Sequence, residues 1–128
     1  MKYIVLLGRI FFALIFVLAV PGHFTQTYVG YASAHGVPLP SIAVPLSGII
    51  ALLGAVSVIL GYKAKYGAWL LVIFLVPVTL TMHNFWTVAD PAQAGVQKIM
   101  FLKNLSMLGA ALMISYFGSG PLSLDRSR

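Results

Sequence analysis

Four apolar stretches, at residues 3–20, 42–60, 66–82 and 99–117, constrain this chain more than anything else in it. A helix rises about 1.5 Å per residue, so 17–20 residues cross the roughly 30 Å hydrocarbon core of a bilayer. Lipid offers no hydrogen-bond partners to backbone N–H and C=O groups, so each stretch must satisfy its own as a helix. The expected fold is an all-α membrane protein. Its four transmembrane helices form one bundle, a single domain over residues 1–128.

Charge supports the same solvent. Only 8% of the residues are charged and 60% are hydrophobic, whereas soluble domains carry about 25% charged residues. The net charge of +6 comes mainly from Lys and Arg at span ends, where they set topology and meet anionic head groups. No basic stripe interleaved with aromatics exists, so nucleic acid is not an expected partner; the lipid bilayer is. The chain has no cysteine, which excludes disulfides, thiol redox chemistry, cysteine-ligated clusters and covalent haem. Lys2 followed by an apolar run has the look of a signal peptide. Arg9 interrupts the run, however, and Ala32-Ser33-Ala34 lies too far downstream for cleavage.

Orientation follows from the basic residues. Lys2, Lys63, Lys65, Arg126 and Arg128 fall on one side of a four-span chain; Lys98 and Lys103 fall on or just inside the other. The positive-inside rule then puts both termini in the cytoplasm of a bacterial inner membrane. Loops 21–41 and 83–98 face outward.

The first outer loop has internal order. Phe24, Tyr28 and Tyr31 recur at helical spacing before a Gly36-Val37-Pro38 stop. This predicts a short interfacial helix, serving either as an aromatic anchor or as a lid over a pocket. In the second span Ser47, Ala51 and Ala55 form a ridge of small residues, with Gly48 and Gly54 beside it. Ser106, Gly109 and Ala110 form another in the fourth. Such ridges are read as helix-packing surfaces, because small residues let backbones approach closely in lipid. Pro77 removes a backbone hydrogen bond inside the third span.

Ionisable and polar groups at membrane depth are costly, so each is a candidate for function. Two sets stand out. Arg9, two turns into the first span, is expected to form a structural ion pair with Asp125 in the tail. The second set gathers at span ends near the outer leaflet: His23, then His83, Asn84 and Trp86, then Lys103 and Asn104. Converging on one pocket, they would offer a proton-exchanging imidazole, a fixed charge and an amide that both donates and accepts. With Phe24 and Phe85 they would suit quinone or another flat carbonyl-bearing amphiphile. The alternative is a set of helix caps and a buried network that holds the bundle. No metal site is expected: three His, two Asp and no Glu are too few and too dispersed.

Taken in order, several motifs resemble the DoxX family of small bacterial membrane proteins. They are Gly8-Arg9-Ile10, Gly30-Tyr31-Ala32-Ser33, Gly48 to Gly54-Ala55, His83-Asn84-Phe85-Trp86, Lys103-Asn104 and the tail Gly118-Ser119-Gly120-Pro121 through Asp125. The resemblance implies a four-helix inner-membrane bundle, with links to quinone-reducing oxidoreductases. It also implies a polar set at Arg9, His83, Trp86, Lys103, Asn104 and Asp125. Ala51 departs from it, since relatives in that family often carry Glu there. The expectation is a non-catalytic membrane subunit that binds a lipophilic molecule such as quinone, or docks a redox-enzyme partner. A quinone-linked oxidoreductase component comes second and a small transporter or channel, as a homo-oligomer, third.

Overall fold

The computed structural model describes residues 2–125. Five α-helices account for most of them: α1 (Lys2–Ala19), α2 (Gln26–Ala34), α3 (Pro40–Leu60), α4 (Ala64–Met82) and α5 (Pro91–Phe117). Single 3-10 segments, Val20–Phe24 and Phe85–Thr87, follow α1 and α4. Four helical segments are long and apolar enough to cross a membrane: Lys2–Phe24, Pro40–Leu60, Ala64–Thr87 and Pro91–Phe117. The short α2 lies between the first and second of them, as the tyrosine spacing predicts.

Helix ends follow local chemistry. Pro40 and Pro91 open α3 and α5 within the first turn, where a missing N–H costs nothing. Helix α3 ends at Gly61 with φ of 66°. There Tyr62 N–H donates to Ser57 O at 3.0 Å and Gly61 N–H to Val58 O at 3.2 Å, the paired bonds of a Schellman cap. The fourth span differs from expectation, because α5 begins eight residues before the apolar run starts at Ile99. Hydropathy registers the part that can sit in lipid. Pro91 registers where the helix starts.

The helices pack in series: α1 on α3, α3 on α4 and α4 on α5, with α2 laid against α3. The core runs along this series through Ala13, Phe16, Ala51, Ala55, Val58, Leu71, Leu75 and Ala111. Many of these are alanines, as expected where helices associate by close approach rather than by expelling water. The α3–α4 seam shows it best. A Cβ on Gly54 would lie 2.8 Å from the Gly67 carbonyl oxygen, and one on Gly67 would lie 2.2 Å from Ser57 Oγ.

The second small-residue ridge is a different matter. Ser106 and Gly109 are exposed, Ala110 is only half-buried, and a Cβ on Gly109 would meet nothing within 4 Å. The packed face of α5 instead carries Asn104, Met107 and Ala111. Spacing alone registers a ridge of small residues. It does not register which way the helix is turned.

Candidate functional site

The two ends of the bundle hold its two polar groups. At one end the chain returns after α5 and folds residues 118–125 beneath the α3–α4 turn; this is the tail end. Leu124 N–H donates to Leu60 O at 3.0 Å and Asp125 N–H to Gly61 O at 2.6 Å. The Asp125 carboxylate accepts from the backbone N–H of Lys63 at 2.6 Å and of Ala64 at 3.0 Å. It thereby caps the N-terminus of α4, where unpaired N–H groups and the helix dipole favour a negative charge.

Arg9 is buried at this end, 4% exposed. Its guanidinium donates to the carbonyl of Ser119 at 3.0 Å and to that of Leu122. Ser119 Oγ in turn donates to Asp125 at 3.2 Å. The expected ion pair is therefore a relay through Ser119: the described residues contain no direct Arg9–Asp125 salt bridge. The reason is competition, since the two α4 amides and the Ser119 hydroxyl occupy the carboxylate. Partial burial pushes the Asp125 carboxyl up. The Ala64 and Lys63 amides, Ser119 and the Arg9 charge outweigh that and hold it below the usual carboxylate range. Arg9 sits about two turns along α1, and its guanidinium reaches the level of Gly61, at the end of α3.

At the opposite, covered end lies a cavity of about 700 Å³. Its walls come from all four spans: Phe16 and Ala19 on α1, Ser47 and Ala51 on α3, Phe74 and Pro77 on α4, and Met107 on α5. Tyr28, Tyr31 and the Gly36–Pro38 turn complete the lining from the α2 segment. Four residues singled out by sequence meet here: His23, His83, Lys103 and Asn104. Two do not. Asn84 lines a smaller neighbouring hollow with His35 and Gln97. Trp86, 58% exposed, joins an edge-to-face aromatic cluster with Phe85 and Phe101.

Register explains the convergence. At about 1.5 Å per residue, Asn104 stands roughly 20 Å above Phe117 on α5, and Gly48 roughly 18 Å above Leu60 on α3. His23 packs directly against Gly48, where an added Cβ would lie 2.6 Å from His23 Cβ. The Tyr28 ring seats over Gly22 in the same way, 2.4 Å from a built Cβ, and stands edge-on to His23 with centroids 5.3 Å apart. Two glycines thus make room for the imidazole and its cover.

The polar atoms differ in how far they are used. His23 Nδ1 pairs with the Ala19 carbonyl at 2.9 Å, which makes Nδ1 the protonated nitrogen and leaves Nε2 open. His83 Nδ1 pairs with Gln97 Oε1 at 2.7 Å. Asn104 is 5% exposed, and its side-chain amide bonds to none of the described residues. Lys103 is exposed, and its Nζ touches only Met100 Sδ at 3.5 Å. The chain has two acids, Asp90 and Asp125, and neither lines the cavity. Sequence reasoning missed Thr81 and Ala51 as wall residues. Gly22 and Gly48, each beside a bulky polar partner, were the available signal.

Fold and composition define a four-span integral membrane protein with a short covering helix and a cavity in its covered half. Comparison with known proteins identifies the family, and it is not DoxX. The SURF4 family profile matches residues 1–128, and the chain belongs to that family. It is similar to inner membrane protein YphA of Escherichia coli, 30% identical over 77% of this chain and 69% of that one. It is 29% identical to inner membrane protein YqjF of the same organism, over 95% of this chain and 89% of that one. Its similarity to ER-derived vesicles protein ERV29 of Saccharomyces cerevisiae, 28% identical, covers 62% of this chain but 26% of the yeast protein. No solved structure gives a significant match.

The DoxX resemblance rested on an ordered set of short motifs, none of them specific alone, from Gly8-Arg9-Ile10 through His83-Asn84-Phe85-Trp86 and Lys103-Asn104 to the tail, and the SURF4 profile over the whole chain overturns it. With the family corrected, the Glu expected at position 51 loses its relevance. Ala51 is fully buried on the cavity wall.

Proposed function

We propose that this SURF4-family protein binds one lipophilic or amphiphilic molecule in the cavity beneath α2, without catalytic chemistry of its own. The carrying observation is the cavity itself: about 700 Å³, largely apolar in lining, with His23, His83, Lys103 and Asn104 on its wall. Small-molecule sites have this form, a concave apolar volume of about 300–1,000 Å³ with a few placed polar groups. In this reading α2 is a lid rather than only an anchor, since Tyr28 and Tyr31 line the cavity. Quinone is one carbonyl-bearing molecule of suitable chemistry. The readings as an oxidoreductase component or a redox-enzyme dock drew on the DoxX resemblance and lose their support with it.

The same reading places the protein in a bacterial inner membrane, in keeping with YphA and YqjF, with both termini cytoplasmic and α2 facing outward. A reporter fused after Arg128 that reads as external would reverse the orientation. The binding site has its own test. Purified protein in lipid nanodiscs should bind a fluorescent fatty-chain probe above the background of empty discs. Ala51→Phe and Ser47→Phe, which fill the cavity from α3, should each weaken that binding in folded protein. Binding unchanged in both variants would remove the cavity as the site.

A further inference from the structure

The cavity wall has an electrostatic sign as well as a shape. Asn104 is 5% exposed as a residue, and its amide, to which none of the described residues bonds, opens into the cavity. His23 is 8% exposed and has one nitrogen committed to the Ala19 carbonyl, with the other open. Lys103 adjoins Asn104 on α5 and lines the same cavity without a carboxylate anywhere on the wall. The described residues therefore supply donors and a cation here, and no anion. An isolated ammonium near lipid is stable only when paired or hydrated. Below the level of Asn104 the wall is apolar, formed by Phe16, Ala51, Leu75 and Met107.

We propose that the cavity selects single-chain amphiphiles with an acidic oxygen head group, a carboxylate or a phosphate. The head group sits at Asn104, Lys103 and His23. This inference rests on the cavity being an amphiphile site. The Asn104 amide and the Lys103 ammonium donate to the head-group oxygens. Nε2 of His23 takes a hydrogen bond from the head group when that carries a proton, and donates when the imidazole is charged. Tyr28 and α2 close over the head group, and the chain lies along the apolar part of the wall.

The test is competition for the fluorescent fatty-chain probe in zwitterionic nanodiscs, using palmitate, methyl palmitate and palmitoyl lysophosphatidate. A charge-assisted hydrogen bond contributes about 1.5–3 kcal/mol, so at least one acid should displace the probe about tenfold better than the ester. Whichever acid is stronger identifies the head group as carboxylate or phosphate. Lys103→Gln and Asn104→Leu should each bring the acids to the ester's level while leaving the ester unchanged. Should Asn104→Leu fail to fold, Lys103→Gln, at an exposed position, decides the matter. Equal displacement by acids and ester in the unmodified protein would overturn the head-group inference and leave the amphiphile site standing. Probe binding that ignores every competitor as well as Ala51→Phe would remove both.

Discussion

The tail end and the covered end of this bundle use the same kinds of residue to opposite effect. At the tail end Arg9, Ser119 and Asp125 are tied to one another and to the backbone, and residues 118–125 are sewn to the α3–α4 turn. Only Arg9 Nε is left buried and without a partner among the described residues. At the covered end the Asn104 amide and one nitrogen of His23 open onto the cavity with hydrogen-bonding capacity unspent. Buried polar groups in a finished structural network are satisfied. Those left unsatisfied around a cavity are the ones available to a ligand. Polarity at membrane depth is therefore weak evidence for a site until its partners are counted.

The largest effect should come from breaking the closed half. Gly54→Val forces a branched side chain against the Gly67 carbonyl, and overpacking of this kind costs about 1–3 kcal/mol or more. The expected outcome is a sharp drop in thermal midpoint and in detergent-extractable protein, with a near-normal midpoint as the contrary result. Asp125→Ala comes next, since losing a helix N-cap costs about 0.5–2 kcal/mol. Asp125→Asn should lose less, because an amide still accepts one of the two bonds.

Acid should imitate that variant. The Asp125 carboxyl is held below its ordinary value, so its contribution is complete above the unfolded carboxylate pKa of about 3.9. It is lost as the pH falls through the lower native value. Wild type should therefore lose its margin over Asp125→Asn in that acid range alone. A margin that is constant with pH would show that the charge has no part in the cap.

Gly48→Ala sharpens the comparison from the other side. It pushes on His23 without touching the tail, so ligand binding should weaken several-fold while stability falls by about 1 kcal/mol. Equal losses in both would mean that the covered end is as structural as the tail end. Gly109→Ala should do least. Its Cβ meets open space, and helix propensity favours Ala by about 1 kcal/mol, so an unchanged or slightly raised midpoint is expected.

The sequence by itself determined the solvent, the four helices long enough to cross it and the short helix between the first two. These depend on hydropathy, length and spacing, which are local quantities. The Gly36-Val37-Pro38 stop also marked the end of α2. Two further placements follow from counting residues along helices, and so four of the six residues expected in one pocket do line one cavity. Asn84 and Trp86 fell away because they sit past the end of α4, where the 3-10 turn re-aims side chains that helical counting would keep together. What only the tertiary structure decided is rotation and competition. Ser106 and Gly109 face out and Asn104 faces in because of how α5 is turned against α4. Asp125 caps α4 instead of pairing with Arg9 because two amides reach it first. The second depends on contacts between residues sixty or more positions apart and the first on how two helices meet, and no pattern along the chain carries those distances.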